Sequence, residues 1–251
     1  MWRQSNTRTP SFFFFFFFWN LKLKIRDNCC SLIPWTFHVL VIKSAIKFKK
    51  NVVTTSYVNP FMRELDQQAK DAGITVMNEV GVDPGIDHFY ALKMINHIHE
   101  QGGKVHSFLS YCGGLPAPEC SNNPLGYKFS WSPKGVLLAL RSTAKYLEKG
   151  QVVTVEGKDL LKSAKPIFIY PAFAVEGYPN RDSTPFSAHY SIPEAHTVLR
   201  GTLRYQGNPK FMQAMVDCGF LDDTPRDFLA PGSPAITWVN RSTVLFLRNC
   251  S

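Results

Sequence analysis

The chain has no C-x-x-C pair, no His/Cys grouping at metal-ligand spacing, and no apolar run reaching the roughly 18 residues that a bilayer-spanning helix requires. Its six cysteines (Cys29, Cys30, Cys112, Cys120, Cys218 and Cys250) are scattered, which argues against a zinc site or a disulfide framework and suits a reducing compartment. Neither a metal nor a membrane partner is expected. Acid is scarce at the start: residues 1 to 50 hold nine Lys/Arg against Asp27 alone, so +8 of the formal +9 lies there and only +1 on residues 51 to 251. The basicity therefore belongs to the N-terminal segment, and a nucleic-acid partner is not expected of the body. No internal repeat occurs. Nor does any G-x-G-x-x-G, so the glycine turn that seats a dinucleotide diphosphate on a helix N-terminus is not encoded in these 251 residues.

What is present is 45% hydrophobic residues, enough for a core in one large domain or two small ones. The first 31 residues stand apart. Met1 to Ser11 is polar and basic, Phe12 to Phe18 is an unbroken phenylalanine run, and a Lys/Arg-rich patch comes after Trp19. Three readings stay open for this segment: spurious translation of a pyrimidine-rich stretch, a targeting segment, or an unusual tail. A secretory signal would have this rough shape but lacks its small-residue cleavage site, and a mitochondrial presequence would share the Arg, Ser and Thr content.

From Leu32 the texture changes. Val39 to Lys49 has the spacing of an amphipathic helix, Asn51 to Ser56 is β-branched and strand-like, Asn59-Pro60 opens a helix that Gly73 ends, and Ile74 to Asn78 is a second strand. Strand, helix and strand make a βαβ unit with parallel strands. The rest of the chain is organised around the stretch from Val76 to His88. Asp83-Pro84 reads as an N-cap and first helical residue ahead of Phe89, Leu92, Ile95 and Ile98, while its place beyond a strand end makes Glu79 to Asp83 a ligand edge. Asp83 can be a cap, a site residue or both. Beyond Gly102-Gly103 the pattern is α+β: strands at Lys104 to Tyr111, Gln151 to Val155, Ile167 to Tyr170 and Thr197 to Gln206, a helix from Pro133 to Lys149 stopped by Gly150, and a helix from Asn208-Pro209 to Gly219. His97 and His99, two apart on a helix, cannot face one partner and are assigned to its surface. Cys112 either lines a site or is a buried structural thiol.

Six stretches are longer and less generic than any short motif: Val52-Val-Thr-Thr-Ser-Tyr57, Gly81-Val-Asp-Pro-Gly-Ile-Asp-His88, Ser110-Tyr-Cys-Gly-Gly-Leu-Pro-Ala-Pro-Glu119, Asn123-Pro-Leu-Gly-Tyr-Lys-Phe-Ser-Trp-Ser132, Tyr178-Pro-Asn-Arg-Asp-Ser183 and Leu199-Arg-Gly-Thr-Leu-Arg-Tyr205. In this order they closely resemble saccharopine dehydrogenase of the NADP-dependent, L-glutamate-forming type, also called saccharopine reductase. In some lineages it is free-standing and in others it is the C-terminal half of the bifunctional aminoadipic semialdehyde synthase. The resemblance runs from about Leu32 to Trp238. It implies an oxidoreductase of lysine metabolism that interconverts L-saccharopine with L-glutamate and α-aminoadipate semialdehyde, with NADP as cofactor.

The fold class implied is α/β: the C-terminal part of a Rossmann-type parallel sheet followed by an α+β, mixed-sheet substrate domain. The expected divisions are 1–31 as a non-family segment, 32–86 as the Rossmann part, 87–238 as an incomplete substrate domain and 239–251 as a non-family tail, a chain truncated at both ends. By position, the resemblance makes Thr55, Ser56, Val82, Asp83, Pro84 and Ser132 cofactor contacts. It makes Ser56, Tyr57, Asp83, Arg181, Thr202, Leu203 and Arg204 saccharopine contacts. The chemistry agrees, because a ligand with several carboxylates suits planar, bidentate cations such as Arg181 and Arg204. Losing water from a carbinolamine needs an acid and a base, for which Asp83 and Tyr57 are the candidates. Small-molecule partners are expected, with a homodimer allowed, and a cytoplasmic location with the mitochondrial matrix as the alternative. Two further readings are a non-catalytic remnant of the substrate domain and a related reductase such as one making carboxynorspermidine. The stretches ending at Ser183 and Tyr205 favour saccharopine.

Overall fold

A computed structural model describes residues 28–227, 230, 232 and 233. The phenylalanine run, the basic patch before Asp27 and the tail from Val239 lie outside the described residues. The chain divides into two compact units, Met1–Lys93 and Met94–Ser251.

The first unit holds a parallel three-stranded sheet in the order β1 (Asn28–Ser31), β2 (Asn51–Thr54), β3 (Val76–Met77). The parallel βαβ pairing of β2 with β3 is as the sequence leads one to expect. β1 is an addition: Asn28 to Ser31, read as part of the N-terminal segment, pairs along the other edge of β2 from Asn28↔Asn51 to Ser31↔Thr54. Helix α1 (His38–Phe48) comes after a short 3-10 turn at Trp35–Phe37 and ends at Lys49, whose φ of 51° is left-handed. Val41 and Ala45 pack on Val52 of β2, while Ile42, one position round the helix, packs on Met62 and Leu65. Each fully buried aliphatic side chain of this kind contributes roughly 1.5 to 3 kcal/mol. The expected single helix after Asn59 is two short ones, α2 (Pro60–Arg63) and α3 (Asp66–Asp71). Asn59 caps the first, its side chain accepting the Met62 N–H at 2.9 Å, with Pro60 at the first helical position.

The start of the next helix differs from expectation. Asp83-Pro84 is a cis peptide, and helix α4 (Ile86–Glu100) begins only after it. The main chain folds into a tight loop in which Gly81 N–H donates to the Pro84 carbonyl at 2.9 Å and Ile86 N–H donates to the Gly81 carbonyl at 2.9 Å. Gly85 sits at φ 148°, where any Cβ would overlap the Gly81 backbone. The carboxylate at the helix entrance is Asp87, which accepts the Gly85 N–H at 2.7 Å. Asp83 is not a cap.

The second unit is built round β9 (Thr197–Tyr205) in a six-stranded mixed sheet whose order is β6 (Gln151–Val155), β5 (Ala144–Glu148), β9, β8 (Val175–Pro179) and β7 (Lys165–Ile167), with β4 (Ser107–Cys112) parallel to β9. β8 (Val175–Pro179) runs antiparallel to β9, Tyr178 opposite Thr202 and Glu176 opposite Arg204. The expected helix from Pro133 to Lys149 is a correction. Helix α5 (Pro133–Ala139) is short, and β5 (Ala144–Glu148) turns through Lys149 (φ 51°) and Gly150 (φ 83°) into β6 (Gln151–Val155). Two successive positive φ values are the signature of a two-residue hairpin, so Gly150 is turn chemistry and not a helix stop. The strand expected at Ile167 to Tyr170 lies earlier, as β7 (Lys165–Ile167). Helix α6 (Phe186–His189) comes after β8, and α7 (Asn208–Asp217) after β9 as the Asn208-Pro209 pair suggests. The core gathers Leu140, Ala144, Leu160, Leu161, Tyr178 and Met212.

Candidate functional site

In the first unit the site grows from the carboxyl ends of two parallel strands. Beyond β2, Thr55 to Asn59 forms a loop, and beyond β3 the chain enters the Gly81–Gly85 turn. Glu79 joins the two. Its N–H donates to the Ser56 carbonyl at 3.1 Å, its Oε1 accepts the Val58 N–H at 2.9 Å, and it takes a left-handed φ of 63° to do so. This brings Tyr57 to Asp83: the phenol donates to Oδ1 at 2.6 Å, the length of a charge-assisted O–H···O⁻ bond. The two residues named as candidate acid and base are therefore one hydrogen-bonded pair, with Tyr57 36% exposed. The carboxylate keeps acceptor capacity beyond that bond.

In the second unit the strand period decides which side chains share a face. Arg200, Thr202 and Arg204 alternate on one side of β9, while Leu203 is buried on the other, so Leu203 offers that face its main chain only. Arg204 holds its guanidinium 4.8 Å over the Tyr127 ring and donates Nη1 to the Leu203 carbonyl at 2.7 Å. Arg181 is exposed, at a left-handed φ of 51°, in a loop tied at both ends: its carbonyl accepts the Lys145 N–H at 2.7 Å, and Asn180 N–H donates to the Arg200 carbonyl at 2.8 Å. Arg181 and Arg204 are not side by side. The register sets Arg204 four positions beyond Arg200, roughly 13 Å of strand.

The remaining candidates have modest settings. Thr55 and Ser56 come directly after β2, and Val82 is 66% exposed in the turn. They lie along one sheet edge, on the side where ligands of open α/β sheets bind. The turns leading from β1 and β2 into helices, Leu32–Pro34 and Thr55–Asn59, contain no glycine, so neither is a diphosphate cradle. Ser132 caps α5, its Oγ accepting the Gly135 N–H at 3.1 Å. Among the described residues there is no group of three metal-ligating side chains, and no helix is long and apolar enough to cross a membrane.

The structure also shows residues that the sequence did not single out. Arg200 is buried, its guanidinium 4.4 Å over Phe186, and its N–H donates to Ser183 Oγ at 2.9 Å, fixing the loop that carries Arg181. His38, wholly buried, reaches Ser56 Oγ through Nε2 at 2.9 Å. His99 is more than a surface group: Nε2 lies 2.8 Å from Glu194 Oε1, which also accepts the Val105 N–H at 3.1 Å. The acid of Glu194 is lowered to about 2, first by its own backbone N–H and then by His99 and Val105.

Comparison with known proteins agrees with this anatomy. Residues 81–247 match the family model of the saccharopine dehydrogenase C-terminal domain, and residues 21–77 match that of the saccharopine dehydrogenase NADP binding domain. The chain is 61% identical over 212 residues to saccharopine dehydrogenase [NADP(+), L-glutamate-forming] of Schizosaccharomyces pombe, covering 84% of this chain and 47% of that one. It is 48% identical over 214 residues to the mitochondrial alpha-aminoadipic semialdehyde synthase of Bos taurus, covering 85% of this chain and 23% of that protein. Among solved structures, apo saccharopine dehydrogenase (L-Glu forming) from Saccharomyces cerevisiae matches with a TM-score of 0.80 and 56% identity, over 92% of this chain and 51% of that one. The chain spans about half the length of these free-standing relatives. With a C-terminal-domain match over residues 81–247 and the strand-end geometry behind it, the chain belongs to the saccharopine dehydrogenase family.

Proposed function

We propose that this chain provides the substrate-handling part of an NADP-dependent, L-glutamate-forming saccharopine dehydrogenase, interconverting saccharopine with glutamate and α-aminoadipate semialdehyde. The observation that carries this reading is the Tyr57–Asp83 hydrogen bond of 2.6 Å at the ends of the parallel strands, in a chain of this family. The reaction joins an amine to an aldehyde carbon, expels water from the carbinolamine and reduces the resulting imine. NADPH supplies the hydride when bound, and Thr55, Ser56 and Val82 are the edge contacts that would meet it. Asp83 takes the proton that the attacking nitrogen must lose and returns one as the hydroxyl departs. Tyr57 holds that carboxylate in one orientation. Arg204, with Arg181, binds carboxylates of the substrate.

The substrate is a small, anionic metabolite, and the near-neutral charge of residues 51 to 251 supports the absence of a nucleic-acid partner. We place the protein in the cytoplasm, with the mitochondrial matrix as the alternative, the compartment named for the bovine synthase. The test is calorimetric titration of the purified chain with saccharopine. Saturable binding that Arg204→Ala weakens is expected. A chain that unfolds cooperatively yet shows no saturable heat with saccharopine refutes the reading.

A further inference from the structure

Ser31, His38 and Ser56 form a line of side chains leading from the interior of the first unit to its candidate site. Ser31 ends β1, His38 opens α1 and Ser56 lies just beyond β2. Ser31 and His38 are fully buried and Ser56 is half-buried. Ser31 Oγ stands 3.1 Å from His38 Nδ1, and His38 Nε2 stands 2.9 Å from Ser56 Oγ. Burial holds the imidazole below its ordinary pKa, so it is neutral near pH 7. A neutral imidazole has one N–H and one lone pair, so its two serines must play opposite roles.

Only two arrangements exist. In the first, Nδ1–H donates to Ser31 and Ser56 gives its proton to Nε2. The buried Ser31 hydroxyl proton then has no acceptor among the described residues, and Ser56 presents lone pairs alone. In the second, Ser31 donates to Nδ1 and Nε2–H donates to Ser56 Oγ. Every buried polar atom of the line is then satisfied, and the Ser56 proton points away from the core. Leaving a buried hydroxyl proton without an acceptor costs about 1 to 3 kcal/mol, which selects the second.

We propose that His38, set in its Nε2–H tautomer by Ser31, is a positioning residue that makes Ser56 an outward hydrogen-bond donor for a carboxylate of the substrate. The inference rests on the reading of Ser56 as a saccharopine contact. It assigns His38 no contact with substrate. Its effect passes entirely through the Ser56 hydroxyl.

Two measurements test it on the full chain. Long-range ¹⁵N–¹H correlation of histidine-labelled protein at neutral pH is expected to show His38 as the Nε2–H tautomer, and Ser31→Ala to weaken that preference. An Nδ1–H tautomer in the unsubstituted chain overturns the inference with no variant needed. Calorimetry with saccharopine then compares Ser56→Ala, His38→Phe and the double variant. Each single change is expected to weaken binding about ten-fold, the loss of one bond to a charged group, and the double variant to bind no more weakly than Ser56→Ala alone. A merely structural histidine would give additive losses, and additivity refutes the inference. If Ser56→Ala binds saccharopine normally, the site reading of Ser56 fails and this inference with it. If Ser56→Ala weakens binding and His38→Phe, folded by its thermal transition, does not, only the inference fails.

Discussion

Replacing Arg204 by alanine is the most direct probe of the proposed substrate site, because the structure separates what the guanidinium does for the fold from what it would offer a ligand. Of its five N–H donors one goes to the Leu203 carbonyl, an adjacent residue, and its flat face lies 4.8 Å from the centre of the Tyr127 ring. Losing the stacking contact costs about 0.5 to 2 kcal/mol. Losing a charge-assisted bond to a carboxylate costs a further 1.5 to 3 kcal/mol or so, and it appears only with ligand present. At 1.4 kcal/mol per factor of ten, the saccharopine Kd should rise roughly 10- to 150-fold in Arg204→Ala. Arg204→Lys keeps the charge but loses the planar fork, and should fall between wild type and alanine. Tyr127→Leu leaves the cation in place without its platform and should weaken binding by about ten-fold at most. Titration calorimetry reads all three against thermal unfolding. A Kd in Arg204→Ala within about three-fold of wild type, less than 1 kcal/mol, would show that no carboxylate sits on this arginine.

In a complete enzyme of this family carrying this segment, Tyr57→Phe should lower saccharopine turnover, read as NADP reduction, and Asp83→Ala should lower it by the roughly 10²- to 10⁴-fold typical of a lost acid–base group; turnover unchanged in Asp83→Ala would remove it from the mechanism. Gly201→Ala should destabilise the second unit by about 1 to 3 kcal/mol, because the added Cβ runs into the Tyr111 ring and comes within 2.9 Å of the Tyr178 carbonyl. Urea unfolding measures that loss, and Tyr111→Leu in the same chain should recover part of it. The depressed acid of Glu194 gives a pH signature: the group is ionised and stabilising above its ordinary value of 4.5, and its contribution is lost as pH falls toward about 2. The acid arm of a stability–pH curve should therefore flatten in Glu194→Gln, and an identical acid arm would count against the His99–Glu194 contact.

How much of the fold and the site is legible in the sequence depends on whether the signal is local. Asn59-Pro60 and Asn208-Pro209 mark helix starts whose chemistry lies within a few residues, and both are found. The parallel pairing of β2 and β3 is set by the chain length between them and the handedness of crossovers. Asp83-Pro84 shows the limit of such signals, since an acid before proline favours a helix cap and a tight turn alike. Only the bonds among Gly81, Pro84 and Ile86 decide between them. The hairpin at Ala144 to Val155 is hidden because Val136, Leu137 and Leu140 set a helical period that Tyr146 happens to continue, and the partner that ties β5 into the sheet, Val198 opposite Leu147, lies 51 residues further on. The resemblance named Tyr57, Asp83 and Arg204 from linear motifs. His38 and Arg200 carry no such signal: each matters through residues 18 and 17 positions distant, Ser56 and Ser183.

The loop that holds Arg181 bears on how this protein can vary. Lys145 gives its N–H to the Arg181 carbonyl and takes the Ser183 N–H on its own carbonyl, both at 2.7 Å, so the grip on the loop is made of main chain. The lysine side chain has no part in it. Position 145 is thus free to drift among almost all residue types while the arginine stays where it is, with proline the exception, because it alone removes the donor. A comparison of sequences that scored this position by its side chains would find it variable and pass over it, although one of the anchors of the loop that carries Arg181 lies there.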